Sequence, residues 1–142
     1  MATPDPAHVA AARRRLKRAG VEVLLEDNHL LVVNKPAGLL SQGGPRGETS
    51  LVELLEAYRR EAEAKAGAAF VGLVHRLDRN VSGVVATAKT SKAASRLARL
   101  FRERDAALAK DYLAWVVGTP TAPGGELRSR LLREGGDRKS VV

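Results

Sequence analysis

The chain contains no cysteine, which rules out a disulfide framework and thiolate metal sites and makes a reducing compartment the simpler setting. Aromatic residues are scarce at 4%, too few for the serial stacking platforms of single-strand nucleic-acid binders. No apolar run approaches the ~18 residues of a membrane-spanning helix, and the N-terminus lacks the apolar stretch of a secretory signal. The histidines, His8, His29 and His75, lie far apart, and none has HExxH-type spacing. These absences lead to the expectation of a cytoplasmic protein that works without metal or membrane.

What the sequence does have is positive charge. Lys and Arg number 24 against 16 Asp and Glu, a formal net charge of +8, so a polyanionic partner is expected, with nucleic acid ahead of anionic membrane. Hydrophobic residues at 44% and charged residues at 28% are the balance of a folded protein. A length of 142 residues suits one domain able to bury roughly two thirds of its unfolded surface.

Residues 6 to 19 read as a basic helix or arm, with Asp5 as N-cap, Pro6 in the first turn and Gly20 as its stop. Its cluster of Arg13, Arg14, Arg15, Lys17 and Arg18 is either a phosphate contact or a solvated face. Residues 1 to 20 are set apart on this basis from a main domain over 21 to 142. "VEVLLEDNHLLVVN" predicts a hairpin turning at Asp27 and Asn28, and residues 35 to 49 a long Gly- and Pro-rich loop. Ser50 with Glu53 is a capping box that opens a helix over 50 to 66. Residues 70 to 77 and 84 to 89 read as strands around the turn "DRNVSG". Thr90 or Ser91 caps a helix to about Arg104, and Lys110 to Val117 reads as a further strand, with Tyr112 and Trp115 on opposite faces. "ELRSRLL" is a possible short strand in the tail.

The stretch "LVHRLDRNVSG" concentrates His75, Arg76, Asp78 and Arg79 directly after an apolar run. If it is extended, alternation sets Arg76 beside Asp78, and a nearby guanidinium favours the ionised carboxylate. That suits Asp78 to attack or charge stabilisation rather than to general-acid work. The bland alternative is a salt bridge at a strand end, with Asp78 opening a β-turn. "GGPRGETS" fails as a phosphate-binding loop, because Glu48 stands where lysine is required.

"HRLDRNVSGVVATAKT" resembles the catalytic signature of the RluA-type pseudouridine synthases. "LLVVNKPAGLL" is similar to that family's first motif, and "KDYLAWVVG" to its Lys-x-Tyr strand, in the same order over residues 21 to 118. The resemblance implies an α+β catalytic domain with a mixed, largely antiparallel sheet flanked by helices, C-terminally incomplete. It further implies isomerisation of uridine to pseudouridine in ribosomal or transfer RNA, on a flipped-out base and without cofactor. Asp78 takes the catalytic role and Tyr112 that of an active-site tyrosine stacked on the uracil. Arg76 fills the vacated stack or contacts the flipped nucleotide. His75, Arg79, Lys110, Asn34 and Lys35 join the RNA-binding set, the last two in a loop packed beside the catalytic strand. "SQGG" stands where many relatives carry a histidine, Val81 replaces a usual threonine, and a later GRxHQIR-like motif is absent. The chain is therefore expected to be either a fragment or a degenerate relative that binds RNA without catalysis.

Overall fold

A computed structural model describes residues 5–44, 47–103, 108–126, 128, 132–133 and 140–141. The chain divides into two compact units, Met1–Ala109 and Lys110–Val142. In the first, helices α1 (Pro6–Arg18), α2 (Leu51–Ala62) and α3 (Ser91–Glu103) accompany strands β1 (Glu22–Glu26), β2 (Leu30–Lys35), β3 (Gly72–Leu73) and β4 (Gly83–Ala88). The strands form one antiparallel sheet in the order β1-β2-β4-β3, and the fold class is α+β. A lone parallel bridge joins Leu40 to Ser50.

Alternation along the central strands sorts the side chains. Leu31, Val33 and Lys35 of β2 are buried with Val85 and Thr87 of β4, and the apolar members meet Leu51, Leu55 and Tyr58 of α2 and Ala12 and Leu16 of α1. Fully burying each Leu or Val contributes about 1.5 to 3 kcal/mol, so this layer dominates the stability of the unit. The capping box forms as the sequence predicts: Ser50 Oγ accepts from the Glu53 amide, and the Glu53 carboxylate accepts from the Ser50 amide. Helix α2 stops at Ala62, short of the expected residue 66. Ala64 takes φ +47, and the Lys65 amide closes back on the Arg60 carbonyl at 3.0 Å. Helix α1 starts on Asp5, whose carboxylate accepts from the Ala7 amide, and it packs against α2 through Ala12 and Leu16.

The hairpin turns at Asp27, whose Oδ1 accepts from the His29 and Leu30 amides, both at 2.6 Å. Arg59 is buried. Its guanidinium donates to the Phe70 carbonyl, to the Lys89 carbonyl at 3.0 Å and to both oxygens of Glu63, tying α2 to the chain entering β3 and leaving β4. Helix α3 is amphipathic and leans on β3 and β4. A Cβ built on Gly72 would meet Ala94 Cβ at 2.7 Å, so only glycine permits this approach.

Two expectations need correction. The strand over 70 to 77 shrinks to Gly72–Leu73, because the chain bends at His75 and leaves the ladder. In the second unit residues 110–116 have no regular structure and Tyr112, Leu113, Trp115, Val116 and Val117 are exposed. β-forming residues make a strand only where a neighbour pairs their amides and carbonyls, and among the described residues none does so there. An antiparallel pair, β5 (Leu132–Arg133) with β6 (Ser140–Val141), is present further on, and most of "ELRSRLL" lies outside the described residues.

Candidate active site

Between β3 and β4 the chain makes a turn that Asp78 opens, closed by the Val81 amide donating to the Asp78 carbonyl at 3.1 Å. Leu77 is buried, whereas its neighbours Arg76 and Asp78 face solvent. No ion pair joins Arg76 to Asp78. The two share the exposed side of buried Leu77, past the point where the bend at His75 takes the chain out of the ladder. The ion pair of the turn is Arg79 with Glu48 at 3.0 Å.

The turn is fastened to the preceding loop at three points. Ser41, buried, donates from Oγ to the Leu77 carbonyl at 2.5 Å and accepts from the Leu77 amide at 3.2 Å. The Gly38 amide donates to the Arg79 carbonyl at 2.7 Å, and Arg79 Nε donates back to the Gly38 carbonyl at 3.1 Å. Gly38 sits at φ +89, in the region that glycine enters without penalty. Third, strand alternation sends Lys35 into the interior at 0% exposure, where its ammonium donates to the carbonyls of Pro36 (3.0 Å), Leu39 (2.7 Å) and Arg79 (3.3 Å). All three of its protons are used. Burial pulls the Lys35 ammonium below its ordinary value, and the negative charge of Asp78 opposes that fall.

Lys35 lies under the Asp78 turn and acts on it by charge and by holding backbone. Asn34, one position earlier, is exposed and pairs with Val84 across the sheet. Arg79 is exposed and engaged with Glu48 and Gly38. His75 Nε2 accepts from the Ala86 amide at 2.9 Å, so that nitrogen carries no proton, and its ring stacks on Phe101 at 4.3 Å and 17°. His75 thus connects the turn to α3. Tyr112 and Lys110 are exposed in the second unit. Sequence reasoning missed Ser41 and Glu48, which lie 36 and 31 residues from their partners and carry no local signal.

Chemically, the arrangement is a solvent-facing carboxylate on a backbone held by hydrogen bonds from Lys35, Gly38 and Ser41. Among the described residues no group of three or more His, Cys, Asp or Glu side chains could hold a metal, and no helix is long and apolar enough to cross a membrane.

Residues 29–140 match the RNA pseudouridylate synthase family, and this span includes the whole Asp78 turn and the loop that holds it. The ribosomal large subunit pseudouridine synthase C of Escherichia coli (strain K12) is 44% identical over 96 residues, covering 68% of this chain and 28% of that protein. Its counterpart in Pasteurella multocida (strain Pm70) is 36% identical over 114 residues, 80% of this chain and 32% of that protein. Among solved structures, human RNA pseudouridylate synthase domain containing 4 superposes with a TM-score of 0.52 at 29% identity, over 69% of this chain and 34% of that one. The chain thus spans about a third or less of the length of these relatives. A match across most of its residues, with the HRLD turn inside it, makes the chain a member of the RNA pseudouridylate synthase family.

Proposed function

We propose that this chain carries the catalytic aspartate of an enzyme that isomerises uridine to pseudouridine in RNA. The observation behind the reading is Asp78, an exposed carboxylate in the HRLD run, held on a turn whose backbone is fixed from both sides. The reaction breaks the C1′–N1 bond of uridine, turns the base and rejoins it through C5. An ionised Asp78 suits either direct attack on the sugar or assistance through a glycal. The base must leave its stack first, at a cost of a few kcal/mol, and Arg76, planar and exposed, is suited to the space it vacates.

Tyr112 is assigned to stack on the uracil, and His75, Arg79, Lys110, Asn34 and Lys35 to bind or shape the site around the RNA. Ribosomal RNA is the preferred substrate over transfer RNA, in line with the names of the bacterial relatives. The reading includes a cytoplasmic location, no cofactor, no metal and no membrane contact, with residues 21 to 142 forming part of the catalytic domain. Tritium release from RNA labelled at uracil C5 tests it, because isomerisation must expel that hydrogen. Release is expected from the wild-type chain and not from Asp78→Asn, which should still bind RNA. Binding with no release by the wild type would leave an RNA-binding relative without catalysis, and turnover by Asp78→Asn would remove the assignment of the nucleophile.

A further inference from the structure

We propose that the outer face of α3 is a docking track for the RNA backbone, leading away from the Asp78 turn. The inference rests on the reading that the protein acts on RNA, and adds where the strand runs. On an α-helix, positions 92, 96, 99 and 102 share one side, and here they are Lys92, Arg96, Arg99 and Arg102, all exposed. The opposite side, with Ala93, Ala94, Leu97, Ala98, Leu100 and Phe101, is half-buried. The acid on this face of the helix is Glu103, at its end, 4.0 Å from Arg99. No ion pair with another described residue engages Lys92, Arg96 or Arg102.

Helix α1 has five Lys and Arg residues and spends two of them internally, leaving three as on α3, so what singles out α3 is its contact with the chain that leads to Asp78. Arg13 donates to Glu26 and Tyr58, and Arg15 pairs with Glu61 at 3.2 Å. A row of unneutralised cations is what a phosphodiester chain recognises, through counterion release. From residue 92 to 102 the helix spans about 15 Å, enough to lie along a short stretch of phosphodiester backbone.

Two features tie the track to the site and to a nucleotide. At one end Phe101 stacks on His75, three residues before Asp78, so the helix is anchored to the turn. Along most of the helix, from Lys92 to Leu100, an open groove of about 410 Å³ lies between α3 and the β1–β2 turn. Leu30, Leu97 and Leu100 give it apolar lining for a base or ribose, Lys92 and Arg96 lie beside them for the phosphate, and Asp27 is the acid among the lining residues.

The test is fluorescence-anisotropy titration of a short uridine-bearing RNA hairpin over a range of salt concentrations. Two variants of equal charge change are compared with wild type: Lys92→Gln/Arg96→Gln/Arg102→Gln on α3, and Arg14→Gln/Lys17→Gln/Arg18→Gln on α1. Gln preserves helix propensity, and circular dichroism checks the fold. The α3 variant should lose at least about tenfold in affinity, with the slope of log K against log salt flattened by about 2, while the α1 variant changes by less than about half as much. Equal losses in the two variants, or a larger loss from α1, would overturn the track and leave RNA action standing. Absence of RNA binding by the wild type would remove both.

Discussion

The hydroxyl of Ser41 grips Leu77 by both its carbonyl (2.5 Å) and its amide (3.2 Å), across 36 residues of sequence. One small side chain therefore fixes the backbone immediately before Asp78. Removing it should loosen the turn without touching the carboxylate. Ser41→Ala leaves a buried amide and carbonyl without that partner, and a loss of about 2 kcal/mol is expected in urea unfolding. Amide hydrogen exchange at Leu77 should accelerate in the same variant. Unchanged exchange there would show that the bond does not restrain the turn.

Arg76 and Arg79 flank the same aspartate but should respond differently to truncation. Arg76 is exposed without an ion pair to a described residue, so Arg76→Ala should stay within about 0.5 kcal/mol of wild type while reducing tritium release from C5-labelled RNA. Arg79 donates to Gly38 and Glu48, so Arg79→Ala should lower the melting temperature measurably. A larger thermal loss from Arg76→Ala than from Arg79→Ala would reverse their assignments.

Gly72 sets how closely α3 approaches the sheet. A side chain there meets Ala94 Cβ at 2.7 Å and the Phe70 ring at 3.2 Å, so Gly72→Val should cost about 1 to 3 kcal/mol through overpacking. Pairing it with Ala94→Gly should recover part of that loss. Denaturation of the two single variants and the double variant measures the coupling, and strict additivity would mean that the helix does not rest on this contact.

Acid should weaken the first unit through Glu63. Burial pushes its carboxyl up, but hydrogen bonds from Arg59, Lys65 and Lys89 outweigh that and bring it down to about 2 from an ordinary 4.5. A carboxylate depressed in the folded state stabilises above its unfolded value, and that contribution disappears as pH falls from 4.5 towards 2. Glu26, held low by Tyr58, Lys89 and Arg13 against its own burial, acts in the same direction. Glu63→Gln should be less stable than wild type at neutral pH and should lose less on acidification. Parallel stability curves for the two proteins between pH 5 and pH 2 would contradict this linkage.

Much of the local structure was legible in the sequence because its causes are local. Asp5, Ser50 with Glu53, and Asp27 each satisfy backbone amides within three residues of themselves, so cap and turn chemistry located α1, α2 and the hairpin. Two-residue alternation likewise foretold a buried β2, and the HRLD run by itself marked Asp78. The strand expected at 110 to 117 failed for the complementary reason: a strand exists only with a partner, and propensity cannot supply one.

The particular contacts around Asp78 were decided by tertiary structure. Sequence spacing paired it with Arg76, but no ion pair joins the two. In its place the fold brought Lys35 beneath the turn, Ser41 onto Leu77 and Gly38 onto Arg79, from a loop more than thirty-five residues upstream. Residue order established which groups were available to the site. Which of them meet depends on how β2 and β4 align side by side, and that register is set by burying Leu31, Val33 and Val85 in one core.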